Sequence, residues 1–127
     1  MNVKPLLGNI SPLIPAGSHL EAAIAFYEQK LGFTCIHQEG NPIRMAIVKR
    51  DAAEIFLVKN DYISLAENTA FRIHVTGIVE LYEEFQSKGE EIVHSNSKLE
   101  TKPWGVKEFV IIDPSGVCIT FYEPADL

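Results

Sequence analysis

The sequence predicts an α+β fold built from two tandem βαβββ modules, because a helical pattern and the strand pattern that follows it occur twice. Residues 20–33 (LEAAIAFYEQKLGF) are echoed by residues 78–92 (IVELYEEFQSKGEEI), and both stretches are amphipathic, aromatic-rich and end near a glycine, Gly32 or Gly89. Runs of β-branched residues broken by turn residues follow each glycine. A duplication of this kind predicts two curved half-sheets that enclose a space between them.

Length and charge narrow the class of protein. The chain has 127 residues, which fits one domain, with a first module over about residues 8–60 and a second over about residues 68–125. Its net charge of −6 disfavours a nucleic-acid partner, and its N-terminal residues lack the apolar run of a signal peptide or membrane span. We therefore expect a cytoplasmic protein with no nucleic-acid or membrane partner. Cys35 and Cys118 lack CxxC spacing, which predicts buried, inert thiols.

The two helices have recognisable apolar stripes. Ser18 and Glu21 have the spacing of a capping box, which predicts that the first helix begins near His19 and ends at Gly32. The second helix is predicted to end near Gly89. The stripes predicted to pack on the sheet comprise Leu20, Ala23, Ile24, Tyr27 and Leu31 in the first helix, and Ile78, Leu81, Tyr82 and Phe85 in the second.

Strands fill most of the remaining sequence. Residues 44–49 and 54–59 read as neighbouring strands, and residues 70–75 form another strand before the second helix. A hairpin is predicted around Asp113-Pro114-Ser115-Gly116, whose residues suit a type I turn between strands at 108–112 and 117–122. Residues 95–102 read as a polar surface loop.

Two segments carry a family resemblance. FYEQKLGF at residues 26–33 and WGVKEFVIIDPSGVCITFY at residues 104–122 resemble the vicinal oxygen chelate superfamily. That superfamily includes glyoxalase I, extradiol dioxygenases, fosfomycin-resistance enzymes and bleomycin-resistance proteins. The resemblance covers about residues 10–123 and implies paired βαβββ modules whose strands curve into a cup, usually within a homodimer.

The resemblance also implies four positions at which metal-dependent members carry His, Gln or Glu ligands. Counting from the motifs places them at Pro12, Phe56, Ala70 and Thr120. These side chains have almost no capacity to bind a divalent cation, so no cofactor is expected. A relocated metal site using His74 with Glu54 or Glu108 remains an alternative.

Alternation along the strands predicts which side chains face the cup. The cup set comprises Pro12, Ile14, Glu54, Phe56, Val58, Ala70, Arg72, His74, Glu108, Val110, Ile112, Cys118, Thr120 and Tyr122. The helix-facing set is uniformly apolar: Ile55, Leu57, Phe71, Ile73, Val75, Phe109, Ile111, Ile119 and Phe121. The candidate ligand-binding residues are Trp104, Phe56, Arg72, His74, Glu108, Val110, Thr120 and Tyr122. An apolar cavity with a few polar groups is typical of a small-molecule site, although the same residues could pack across a collapsed cup or a dimer interface.

Trp104 has two interpretations. By resemblance to the WG segment of bleomycin-resistance proteins it lies near a ligand groove, where it would stack on a planar ligand. Alternatively it caps a hydrophobic core or a subunit contact.

The favoured function is non-enzymatic binding and sequestration of a small antibiotic-type molecule, aromatic or cationic, similar to that of bleomycin-resistance proteins. The alternatives are a metal-dependent glyoxalase-like lyase, isomerase or dioxygenase, a metabolite sensor or interaction module, and a metal-free acid/base enzyme using Glu54 or Glu108 with His74. A homodimer is expected, and Pro5, Pro12 and Pro15 suggest a first strand that is exchanged or lies at an edge.

Overall fold

The computed structural model describes residues 3–88, 92–94 and 97–125. Its elements in chain order are β1 (Leu13–Pro15), α1 (Leu20–Gln29), β2 (Thr34–Glu39), β3 (Met45–Arg50), β4 (Ala53–Val58), α2 (Ile63–Glu67), β5 (Ala70–His74), α3 (Ile78–Gln86), β6 (Glu100–Thr101), β7 (Val106–Ile112) and β8 (Cys118–Pro124). Within the described ranges no helix is both long and apolar enough to cross a membrane.

The strands form two four-stranded mixed sheets with the same topology. The first sheet has the order β1-β4-β3-β2 and the second has the order β5-β8-β7-β6. In each sheet the strand before the long helix pairs in parallel with the last strand of its module, and the other pairs are antiparallel. The predicted duplication of a βαβββ unit is therefore confirmed.

The two faces of each sheet differ in burial. Ile55 and Leu57 in the first sheet and Phe109, Ile111, Ile119 and Phe121 in the second are buried beneath the helices, as the alternation predicted. The opposite face, called the cup face below, carries the register rows His74–Tyr122–Glu108 and Arg72–Thr120–Val110. Alternation thus predicted the orientation of β4, β5, β7 and β8 correctly.

The prediction was wrong for β1. Ile14 pairs with Leu57 and is only 2% exposed, so it faces the helices rather than the cup. Pro12 shares its side of the strand, whereas Leu13 pairs with Phe56 on the cup face. The reason is that pairing with β4 fixes the face of a three-residue strand, which is too short to show alternation of its own.

The long helices begin where the sequence predicted, at Leu20 next to His19 and at Ile78, but the capping of α1 differs from the prediction. His19 is the N-cap of α1 and no side chain caps it, so the capping-box prediction was wrong. Gly32 has φ +75°, the left-handed conformation expected of a glycine just beyond a helix. Helix α3 begins after Gly77, and its predicted end near Gly89 lies outside the described residues. The carboxylate of Glu123 accepts hydrogen bonds from the Gly77 and Ile78 N–H groups at 3.0 and 3.1 Å. These N–H groups lie at the start of α3 and have no acceptor within the helix.

Two short elements were not predicted, and one prediction about cysteines was wrong. No helix was predicted in the region of α2, and residues 95–102 were predicted to be a loop, of which Glu100–Thr101 forms β6. Residues 95 and 96 of that loop lie outside the described part. Cys35 and Cys118 are free thiols that are partly exposed rather than buried.

Reciprocal contacts hold the two modules together. In each module the last turn of the long helix bonds to the β-hairpin turn of the other module. The Tyr27 hydroxyl of α1 donates to Asp113 Oδ2 at 2.8 Å, and Arg50 at the end of β3 donates to both carboxylate oxygens of Glu84 in α3 at 2.9 and 3.0 Å. We call these two contacts the module clasps.

The clasps differ in environment. Asp113 is 5% exposed, and its other oxygen accepts from the Ser115 and Val117 N–H groups within the predicted turn. Burial raises the pKa of Asp113, while the hydrogen bond from Tyr27 and the backbone bonds lower it in part. The Arg50–Glu84 pair is partly exposed, and the hydrogen bond from Arg50 lowers the pKa of Glu84.

Candidate functional site

The cup face of the second sheet carries a cluster centred on the carboxylate of Glu108. Glu108 lies on β7 and is only 7% exposed, although its neighbours on this face are polar or open to solvent. Its Oε1 atom accepts a hydrogen bond from Trp104 Nε1 at 3.0 Å and another from Arg72 Nη2 at 3.3 Å. Arg72 on β5 and Trp104 in the loop before β7 therefore both donate to this one buried carboxylate.

An aromatic surface adjoins this carboxylate. The guanidinium carbon of Arg72 lies 4.5 Å from the centre of the Tyr122 ring, within the range of a cation–π contact. His74 packs edge-on against the same ring with centroids 5.4 Å apart. Trp104 is 62% exposed despite its hydrogen bond to Glu108, so one indole surface is open to solvent. We call Trp104, Glu108, Arg72, Tyr122 and His74 the cup cluster.

The strand order explains why these residues meet. β8 lies between β5 and β7, so Tyr122 is flanked by His74 on one side and by Glu108 on the other. Two residues earlier on β8, Thr120 is flanked in the same way by Arg72 and Val110. All the predicted ligand-binding residues except Phe56 and Trp104 therefore lie together on the second sheet, and Trp104 joins them from the loop before β7 through its hydrogen bond to Glu108.

Phe56 lies on the cup face of the first sheet. It pairs with Leu13 on one side and with Ile47 on the other, so this face presents an apolar row. Leu13 at the end of the row is 68% exposed. The face is thus open in a single chain, and a groove over it needs a second wall.

The four metal positions that the resemblance implies can be placed on the two sheets, because the hydrogen bonds at the strand ends relate one module to the other. Ala16 N–H donates to Val58 O and Val75 N–H donates to Tyr122 O, both at 2.8 Å, which makes these pairs equivalent in the two modules. Two residues earlier, the equivalent pairs are Leu13 with Phe56 and Arg72 with Thr120. Of the four metal positions, Phe56, Ala70 and Thr120 lie on the cup face, whereas Pro12 lies on the other side of β1, with the buried Ile14.

These four residues do not fit a divalent metal. Proline, phenylalanine and alanine have no donor side chain, and a single threonine hydroxyl is a weak ligand. Within the described ranges, no group of three or more His, Cys, Asp or Glu side chains is arranged to hold a metal ion. The relocated set of His74 with Glu54 or Glu108 is not such a group.

The residues of the acid/base alternative, Glu54, Glu108 and His74, do not pair with one another. Glu54 accepts a hydrogen bond from the Ser11 hydroxyl at 3.0 Å, and Glu108 accepts from Arg72 and Trp104. His74 contacts Tyr122 rather than either carboxylate in the hydrogen bonds and ring contacts of the described residues. The proposed general acid and base are therefore not brought together in this chain.

A separate cleft lies at the junction of the two modules. It has a volume of about 620 Å³ and is lined by the apolar side chains of Ile73, Phe85 and Phe121, with the Arg50–Glu84 clasp at its edge. This cleft was not predicted. Its walls come from elements of both modules, and the repeat pattern does not encode how those elements pack against each other. It does not include Glu108, Trp104 or Tyr122, but His74 of the cup cluster also lines it.

Two βαβββ modules with mixed four-stranded sheets, helices on one face and an open cup face on the other define a protein of the vicinal oxygen chelate class. Residues 13–121 match the model of the Glyoxalase/Bleomycin resistance protein/Dioxygenase superfamily, and the chain belongs to this family.

Curated relatives share part of the sequence, and solved structures share the fold. The chain is 30% identical to the bleomycin resistance proteins of Geobacillus stearothermophilus and Staphylococcus aureus, over 88% of this chain and 93% of theirs. A bleomycin-binding protein crystallised with bleomycin has the same fold, with a TM-score of 0.77 and 20% identity over 92% of this chain and 98% of that one. TnmS3, an antibiotic-binding protein from Streptomyces sp. CB03234, gives a TM-score of 0.71 and 20% identity over 96% and 100% of the two chains.

Proposed function

We propose that this protein binds and sequesters a small aromatic, cationic antibiotic of the bleomycin type on its cup face and leaves the compound chemically unchanged. The observation that carries the proposal is the cup cluster, in which a nearly buried carboxylate lies beside open aromatic surfaces. A carboxylate attracts a cation, and the faces of Trp104 and Tyr122 suit stacking on a planar group. The relatives that bear the name bleomycin resistance protein support this assignment.

Sequestration needs affinity and no reactive group. The four positions that the resemblance implies as ligand sites carry proline, phenylalanine, alanine and threonine, which do not form a metal-binding set. Glu54 and Glu108 are each engaged by donors other than His74. These features favour a binding protein over a lyase, isomerase or dioxygenase.

We propose further that the working form is a cytoplasmic homodimer in which a second subunit supplies the missing wall of the groove. Support comes from the open apolar row of the first sheet and from the segment before β1, which belongs to no helix or strand. That segment, residues 3–10, leaves Val3, Leu6, Leu7 and Ile10 almost fully exposed. Apolar exposure of this extent is typical of an interface rather than of a free surface. Native mass spectrometry of the purified chain, and of a Leu6→Ser/Leu7→Ser variant, tests the dimer and the role of this segment.

Binding can be followed by the fluorescence of Trp104, the only tryptophan. We expect metal-free bleomycin to change this fluorescence saturably and with a stoichiometry of one drug per groove. Mass spectrometry of the recovered drug should show an unchanged mass. Expression in a sensitive bacterium should raise the inhibitory concentration of bleomycin in proportion to the amount of protein.

A matched pair of variants assigns the binding to the cup cluster. Glu108→Gln should weaken bleomycin binding by about tenfold, because a charge-assisted contact becomes a neutral one. Glu83→Gln removes the same charge from an exposed position on α3 and should leave binding unchanged. No saturable binding of bleomycin or of other planar cationic drugs, or equal effects of the two variants, would refute the proposal.

A further inference from the structure

The guanidinium of Arg72 is itself a planar cation held in the cup cluster. We propose that Arg72 occupies the place of the ligand's planar cationic group in the free protein, and that it sets affinity by competing with that group. The site would accordingly select guanidinium, amidinium or cationic heteroaromatic groups. This inference rests on the proposed function of the cup face.

The geometry of Arg72 supplies the two contacts that such a ligand group requires. Its planar group lies over the Tyr122 ring, with 4.5 Å between the guanidinium carbon and the ring centre. At the same time Nη2 reaches the carboxylate of Glu108 at 3.3 Å. A ligand cation that stacks on Tyr122 and donates to Glu108 would overlap Arg72, so both cannot bind there together.

Charge balance decides between a cationic and an anionic ligand. The side chain of Glu108 is 9% exposed, and Arg72 is its only cationic partner among the ion pairs of the described residues. If a ligand cation replaces Arg72, Glu108 keeps a compensating charge throughout. If Arg72 instead turned to bind an anion, Glu108 would lose its cation while buried and would face a second negative charge nearby, which is costly.

The exposure of the two partners shows which of them can move. The side chain of Arg72 is 46% exposed, whereas that of Glu108 is fixed by Trp104 and largely buried. A half-exposed arginine can turn into water and regain its hydration at little cost, because exposed ion pairs and exposed cation–π contacts are weak. Displacement of Arg72 is therefore the accessible route, and Glu108 remains as the fixed acceptor.

Three small probes of nearly identical shape test the selection. Benzamidine is a planar amidinium, benzamide is its neutral counterpart and benzoate is its anionic counterpart. Binding of each to the full chain is measured by calorimetry and by Trp104 fluorescence, for the wild type and for Arg72→Gln and Arg72→Lys. Arg44→Gln removes a guanidinium from an exposed position in the first module and serves as the control. Circular dichroism confirms that each variant is folded.

We expect the wild type to bind benzamidine in preference to benzamide and benzoate. Arg72→Gln should tighten benzamidine binding roughly 5- to 30-fold, which corresponds to about 1–2 kcal/mol, and Arg72→Lys should have a smaller effect because lysine is not planar. Benzamide binding should not change, and Arg44→Gln should behave as the wild type. Benzamidine should also raise the melting temperature of Arg72→Gln more than that of the wild type, because it restores a cation beside Glu108.

Three results would overturn the inference. They are weaker benzamidine binding by Arg72→Gln, preferential binding of benzoate that depends on Arg72, and no benzamidine binding by any of the proteins. Each differs from failure of the proposed function, which is measured with bleomycin itself. A protein that binds bleomycin but shows any of these results sequesters the drug without competition from Arg72.

Discussion

The clasp between Tyr27 and Asp113 allows a quantitative prediction. Replacing Tyr27 by Phe removes one hydroxyl group and keeps the ring that packs in the core. The 2.8 Å hydrogen bond to Asp113 Oδ2 is lost, and both residues are buried, so water cannot easily replace the donor. A hydrogen bond to a charged group contributes about 1.5–3 kcal/mol, so we expect Tyr27→Phe to lower the free energy of unfolding by about 2 kcal/mol.

The loss should depend on pH with a definite sign. Burial raises the pKa of Asp113 above its usual 3.8, and the hydrogen bond from Tyr27 is the largest influence in the opposite direction. A carboxyl group whose pKa is raised by folding destabilises the protein when it is ionised, and this cost is absent below its unfolded pKa. Without the hydroxyl the pKa rises further. The difference between Tyr27→Phe and the wild type should therefore be largest near neutral pH and should shrink as pH falls through the pKa of Asp113 in the variant.

Urea unfolding at fixed protein concentration between pH 4 and pH 8 measures both quantities, and the melting temperature at pH 7 should fall by about 5–10 °C. Asp113→Asn is the matched control, because its side-chain oxygen can still accept from the turn N–H groups. In that background Tyr27→Phe should cost about 1 kcal/mol at every pH, since no charge remains. A loss below about 0.5 kcal/mol at pH 7, or a loss that grows in acid, would refute this account of the clasp.

Three further changes test the other contacts. Glu84→Gln should cost only about 0.5–1 kcal/mol in low salt, because its pair with Arg50 is partly exposed, and the cost in urea unfolding should fade in 1 M NaCl. That contribution should also be lost as pH falls through the pKa of Glu84, which the hydrogen bond from Arg50 lowers. Glu123→Ala should speed amide exchange at the start of α3, where backbone N–H groups bind this carboxylate and lower its pKa, and the effect should disappear in acid. Gly40→Ala should lower the free energy of unfolding by about 1–2 kcal/mol or more, since φ is +97° and a methyl group would lie 2.7 Å from a backbone oxygen.

Much of the fold could be predicted from the sequence because the repeat, the turn chemistry and strand alternation are local signals. Gly32 and the turn at Asp113 behave as their residue types require. α2 was missed because a helix of about one turn shows no periodicity, and Ala66 is its only buried residue. The face of Ile14 was assigned wrongly because partner strands, not the local sequence, fix a three-residue strand.

The candidate site was predictable as a set of residues but not as a set of contacts. Alternation places Arg72, Glu108 and Tyr122 on one face, yet their mutual contacts depend on β8 lying between β5 and β7. The clasp of Tyr27 was missed because the residue was counted as part of an apolar stripe. The signal was its hydroxyl group, since a buried tyrosine usually requires a hydrogen-bond partner.

The difference between the two clasps has a consequence for a fused duplicate. If a single βαβββ unit paired with an identical copy, every junction contact would occur twice and a mutation would alter both at once. Fusion into one chain lets the two contacts diverge, and here one pairs a phenol with a buried acid while the other pairs a guanidinium with a half-exposed one. Protonation in acid removes the cost of burying a charge at Asp113, and it weakens the attraction between Glu84 and Arg50. The hydrogen bond from Tyr27 also loses its charged acceptor in acid, so both contacts across the seam between the modules contribute most near neutral pH.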